Sequence, residues 1–192
     1  MRSALVLAAM LAAVGDGPTE TLKQRDVEIR AVLPPEGQEV TPAARSRLEK
    51  ILTRAIDLRT MAESALGARW KEMTEKQRKR LLAAFERRFQ QVGSSELDGY
   101  RSTQIQYKPE EKVGDDLVKV PTQVDVKGEP TEITYAMRRS KEGWRIVDIV
   151  VDGVSTVENY RASFARVIAK EGVEGLIGRL SRGAAKAAGK KS

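Results

Sequence analysis

The chain has 192 residues, 41% hydrophobic and 32% charged, a composition ordinary for a single globular domain with room for a substantial core. It contains neither cysteine nor histidine, which excludes structural disulfides, thiol catalysis, histidine-based triads and the commonest zinc ligands. Of the net charge of +7, Arg2 supplies one unit and Arg179, Arg182, Lys186, Lys190 and Lys191 supply five, so the basicity is assigned to a tail rather than to a nucleic-acid groove.

Met1 and Arg2 form a short positive start, residues 4–14 are uncharged and apolar, and Ala13, Val14 and Gly15 are small. This pattern predicts a secretory signal peptide over residues 1–15, cleaved near Gly15. As a helix the apolar run would span about 16 Å, too short for a hydrocarbon core of about 30 Å. With no cysteine to lipidate, a lipoprotein anchor is excluded. Residues 16–181 are expected to form a single domain and residues 182–192 a basic, flexible tail.

Residues 19–33 read as a helix with Leu22, Ile29, Val32 and Leu33 as its apolar positions, stopped by Pro34 and Pro35. Thr41 followed by Pro42 marks the next helix start, and Leu48, Ile51, Leu52, Ala55 and Ile56 recur at helical spacing. Asp57 is placed to cap a short third helix and Gly67 to end it. Thr74 and Gln77 form a capping box that opens a helix over residues 75–92. Leu81, Leu82, Phe85, Phe89 and Val92 line one side of it. Lys76, Arg78, Lys79, Arg80, Arg87 and Arg88 occupy much of the rest, and with Glu75 and Glu86 among them they read as a solvated face.

From Thr103 the period changes to two. Ile105 and Tyr107 alternate with polar residues, as do Val118, Val120, Val124 and Val126, in a strand that Pro121 marks as an edge or a bulge. A turn around Gly128 leads to Ile133, Tyr135 and Met137, and a second turn ends at Gly143. The last strand is nearly all apolar, with Trp144 and Ile146 on one face and Val147, Ile149 and Val151 on the other. Asp148 takes the parity of Trp144 and Ile146, so its carboxylate is expected to need a partner such as a helix N-terminus or an arginine. Ser155 is the natural N-cap of a helix over residues 156–170, followed by another over 173–180. Short connections imply antiparallel neighbours. The fold class is therefore α+β, with helices on one face of a curved four-stranded antiparallel sheet.

Little here supports catalysis. No histidine, cysteine or glycine-flanked serine nucleophile exists, and no phosphate-cradling glycine loop occurs. No catalytic, cofactor or metal site is expected. The strands carry Val, Ile and Met rather than aromatics interleaved with basic residues, which argues against nucleic acid.

The order Leu66-Gly67, Trp70, Thr74-Glu75-Lys76-Gln77 and Phe85, followed by Gly143-Trp144-Arg145-Ile146-Val147-Asp148 and Gly153-Val154-Ser155, then Tyr160-Arg161, Phe164 and Glu171–Leu176, resembles the MlaC (toluene tolerance) family of periplasmic phospholipid-binding proteins. The resemblance runs over about residues 57–180. It implies an NTF2- or cystatin-like arrangement with an apolar pocket between sheet and helices. The residues with inward parity, Ile105, Tyr107, Val124, Val126, Ile133, Tyr135, Met137, Trp144 and Ile146, with Leu66, Leu82, Phe85 and Phe89 from the helices, would line it. The implied role is a periplasmic shuttle that buries the acyl chains of a phospholipid. Its implied partners are an inner-membrane ABC transporter complex with an MCE-type component and an outer-membrane lipoprotein complex. Two other readings fit the residues themselves: a periplasmic NTF2-like interaction module with a filled core, and a carrier of another lipid such as a hopanoid.

N-terminal sequencing of the exported protein should find a mature start near Asp16. Recovery of an intact Met1 from the cytoplasm would remove the periplasmic expectation.

Overall fold

The computed structural model describes residues 17–35, 38–95, 103–126 and 128–189, so the expected signal peptide lies outside the described residues. Five helices come first: α1 Pro18–Val32, α2 Pro42–Ala55, α3 Leu58–Leu66, α4 Ala68–Glu72 and α5 Glu75–Ser95. Six strands follow, β1 Ile105–Tyr107, β2 Glu111–Lys112, β3 Leu117–Val126, β4 Glu129–Ser140, β5 Gly143–Val151 and β6 Val154–Ser155, and then α6 Thr156–Gly189. The strands pair antiparallel in the order β1-β3-β4-β5-β6, with β2 also on β3. The four strands expected from the alternation are β1, β3, β4 and β5. The two-residue strands β2 and β6 are too short to show any period.

Local chemistry sets the helix ends. Thr41 Oγ1 accepts from Ala44 N at 3.2 Å, and Asp57 Oδ1 accepts from Thr60 N at 2.9 Å. At α5 the capping box closes in both directions, Gln77 N to Thr74 Oγ1 at 3.2 Å and Thr74 N to Gln77 Oε1 at 2.9 Å. Gly67 ends α3 at φ +55°, a backbone that side chains disfavour.

The inner sheet face is the one that packs on the helices. Val118 faces Met137, Val120 faces Tyr135 and Thr122 faces Ile133, and Val118, Val120 and Met137 share one core with Met61, Leu81, Phe85, Phe164 and Ile177. Phe85 is fully buried, with Tyr160 and Phe164 edge-on at 4.9 and 5.9 Å. Thr122, also fully buried, is satisfied by donating to Ile133 O at 2.7 Å. On the opposite face Lys119 and Arg138 stand in water. A smaller cluster of Ile29, Leu33, Leu48 and Ile51 joins α1 to α2.

Two expectations need correction. Pro121 is on neither an edge nor a bulge, because β3 is an interior strand. It sits in the interval of β3 between the residues paired with β1 and those paired with β2, where a missing N–H breaks no ladder. The parity of β5 changes partway along: Met137 pairs with Ile146, but Ala136 pairs with Asp148 and Tyr135 with Ile149. Val147 is the extra residue of a bulge, which puts Ile149 and Val151 on the face of Ile146 and moves Asp148 to the face of Ala136. The backbone of α6 continues as helix through residues 182–189. Ala184, Ala185, Ala187 and Ala188 are strong helix formers. The interruption in α6 falls at Gly172 (φ 69°), between the two helical segments read from the sequence.

Asp148 is the junction of sheet and helices. Its carboxylate accepts from Ile149 N at 2.8 Å, Ser155 Oγ at 2.6 Å and Val157 N at 3.0 Å, while Ser155 Oγ accepts from Glu158 N at 3.1 Å. The partner expected for this carboxylate is thus the N-terminus of α6. Asp148→Ala strands three half-buried donors and should cost about 2–3 kcal/mol, read from urea denaturation. A loss within about 0.5 kcal/mol would mean that Ser155 alone holds the helix start.

Candidate functional site

The sequence-derived lining divides into two zones. Leu66, Phe85, Val124, Met137 and Ile146 are buried, and all but Val124 belong to the main core, which includes Met61, Leu81 and Val120 as fully buried members. That zone is filled with side chains. Leu82, Phe89, Tyr107, Tyr135 and Trp144 are half-buried and pack against the same core. Ile105 and Ile133 are half-buried on the same sheet face, since Ile105 pairs with Val124 and Ile133 with Thr122. Val126 pairs with Glu129 in the ladder, and its side chain, like that of Val92, lies outside the described residues.

Register and burial together bring Ile105, Tyr107, Ile133, Tyr135 and Ile149 onto one half-buried apolar wall on the inner face of β1, β4 and β5. Ile149 is not among the expected lining residues, because only the bulge turns it inward. No glycine or proline marks that bulge, which lies in a β-branched run interrupted only by Asp148.

α1 is held beside this wall chiefly by polar fasteners. At its start Thr19 Oγ1 and N donate to Glu110 Oε1 at 2.6 and 3.1 Å. Near its end Arg30 Nη2 donates to Thr103 O at 2.6 Å, with the Arg30 guanidinium paired to Asp26 at 2.9 Å. Between them Lys23 Nζ stands 5.7 Å from the Tyr107 ring centre. Leu22 is the α1 residue that enters the main core. Ile29 and Leu33 pack instead with α2.

Both tyrosines of the wall are pushed up to about 12, by burial first and then by the charge of Asp26. A phenol held neutral here behaves as part of the apolar surface with one polar tip.

A groove of about 540 Å³ lies elsewhere, between α2 and α5, lined by residues that include Glu49, Lys50, Arg54, Glu86 and Gln90. Its charged walls suit no acyl chain. Among the described residues no cluster of acidic side chains could hold a metal ion, and no helix is long and apolar enough to cross a membrane.

The folded state keeps the protons of Tyr107 and Tyr135 above pH 10, where the unfolded chain gives them up. This contribution is complete below pH 10 and is lost as pH rises through about 12. Urea midpoints should therefore fall over that interval, and Tyr135→Phe should flatten the fall. Phenolate absorbance rising fully near pH 10 would show that neither ring is desolvated.

A sequence-model comparison places residues 29–182 within the MlaC protein family. A relative from Haemophilus influenzae, described as the intermembrane phospholipid transport system binding protein MlaC, is 24% identical over 134 residues, or 67% of this chain. The match spans 63% of that relative's length. Among solved structures, a phospholipid-binding protein from Ralstonia solanacearum in complex with a phospholipid superposes with a TM-score of 0.74 at 26% identity, covering 88% of this chain and 97% of that one. With the family match running from within α1 to the second segment of α6, across the whole sheet, the chain belongs to the MlaC family.

Proposed function

We propose that this protein is a periplasmic carrier that takes up a phospholipid by its acyl chains and passes it between an inner-membrane ABC transporter complex with an MCE-type component and an outer-membrane lipoprotein complex. The wall of Ile105, Tyr107, Ile133, Tyr135 and Ile149 carries this reading, in a fold shared with a protein that holds a phospholipid. Two acyl chains expose roughly 30 methylenes, at about 0.8 kcal/mol each. A carrier must hide nearly all of that area.

The deep core has no room for such chains, so uptake requires α1 to move away from the wall. The exposed hydrogen bonds between Thr19 and Glu110 exchange for water at little cost. The expected Leu66, Leu82, Phe85, Phe89, Val124, Met137, Trp144 and Ile146 then form the floor against which the chains rest. The head group stays near water, and no bond is made or broken. The filled deep core also favours a second reading, a protein-interaction module that carries no lipid.

Lipid extraction and native mass spectrometry of the purified mature protein should find lipid in about one-to-one amount and identify it as a phospholipid or as another class such as a hopanoid. Ile133→Trp should displace that lipid while costing less than the roughly 1–3 kcal/mol typical of overpacking a filled core. A lipid-free wild type that Ile133→Trp destabilises severely would establish the interaction module instead.

A further inference from the structure

The placement of charge goes beyond the carrier reading and does not depend on it. α5 has six basic residues against two acidic ones, and residues 173–189 have three against one, so these two segments hold +6 of the chain's +7. The structure packs them side by side and parallel. Glu174 accepts from Gln77 and Arg80 at 3.3 and 2.8 Å, and farther along both helices Gly183 meets the Arg88 side chain, whose Cδ would lie 3.8 Å from an added β-carbon. Arg179 and Arg182 therefore join the basic residues of α5 in one folded face.

Lys76, Arg80 and Arg87 recur at helical spacing on the exposed side of α5, with Lys79 beside them paired to Glu75, and Arg182 and Arg179, the latter paired to Glu171, are exposed on the neighbouring segment. Arg78 takes no part, since it lies over the Trp70 ring and donates to Trp70 O and Lys71 O. The face runs along a helix of about 30 Å.

We propose that this face docks on an anionic phospholipid bilayer. The choice of partner follows from what accompanies the charge. Specific protein interfaces centre on buried apolar or aromatic anchors. The large hydrophobics exposed among the described residues are Val27, Val113, Val151 and Val154, all outside α5 and α6. A face of distributed cations with no exposed large hydrophobic among its described residues suits a broad, diffuse surface of negative charge, where each Lys or Arg strengthens binding roughly fivefold.

Co-sedimentation tests this with the mature protein and vesicles of phosphatidylcholine, alone or mixed with phosphatidylglycerol. Binding should require phosphatidylglycerol and disappear at high salt. The variant Lys76→Gln/Arg87→Gln/Arg182→Gln should bind on the order of a hundredfold more weakly. A control of equal charge change on other elements, Arg47→Gln/Lys112→Gln/Lys141→Gln, should bind within about threefold of wild type. All six positions are exposed, and circular dichroism verifies that both variants fold. The proposal is overturned by failure of the wild type to bind the mixed vesicles, by equal weakening in the control, or by retention on a polyglutamate resin without vesicle binding, which would point to an acidic protein.

Discussion

One carboxylate on β5 ties the two layers of this fold together, and it can do so only because the strand carries an extra residue. Val147 shifts the register so that Asp148 turns away from the core and meets the start of α6. Without the bulge, Asp148 would share a face with Ile146, where its ionised form would be costly. Ile149 would point the other way. The same single residue thus fixes the entry of α6 and completes the apolar wall on the inner face. Because α6 brings Tyr160 and Phe164 onto Phe85, the central aromatic contacts of the core also depend on it.

Features determined by neighbours a few residues apart are legible in the amino-acid sequence. Thr41, Asp57, Thr74 with Gln77, and Ser155 each satisfy helix N–H groups, and such caps need only the right side chain at the right offset. The alternation of Val118, Val120, Val124 and of Ile133, Tyr135, Met137 likewise marks which face is covered. The bulge is hidden because Ile146, Val147 and Ile149 are equally suited to a strand on either face. Pro121 misleads because its tolerance depends on where two other strands happen to stop.

The candidate site is legible as a set of residues but not as two zones. Sequence parity cannot separate Met137, which is enclosed by helices, from Ile133 and Tyr135 on the half-buried side. That division depends on how far the helices reach across the sheet, a property of packing alone. Charge follows the same rule. Counting residues assigns the basicity to a tail, whereas its effect depends on α6 turning at Gly172 and running on alongside α5.

The filled core and the carrier reading are reconciled by asking which cover is weakest. α5 and α6 meet the sheet through a continuous core, so displacing either would expose Phe85, Leu81, Leu176 and Ile177 at once. Fully exposing a side chain of that size costs about 1.5–3 kcal/mol, and no local opening sustains several such losses. α1 contributes Leu22 to that core and packs Ile29 and Leu33 on α2, and its remaining fastenings to the sheet side are exposed or half-buried polar bonds. Water replaces such bonds with little net loss, and an arriving acyl chain covers the apolar wall again. On the carrier reading, then, opening is confined to α1, and the core stays closed because the cargo supplies the apolar surface that the lifted helix withdraws.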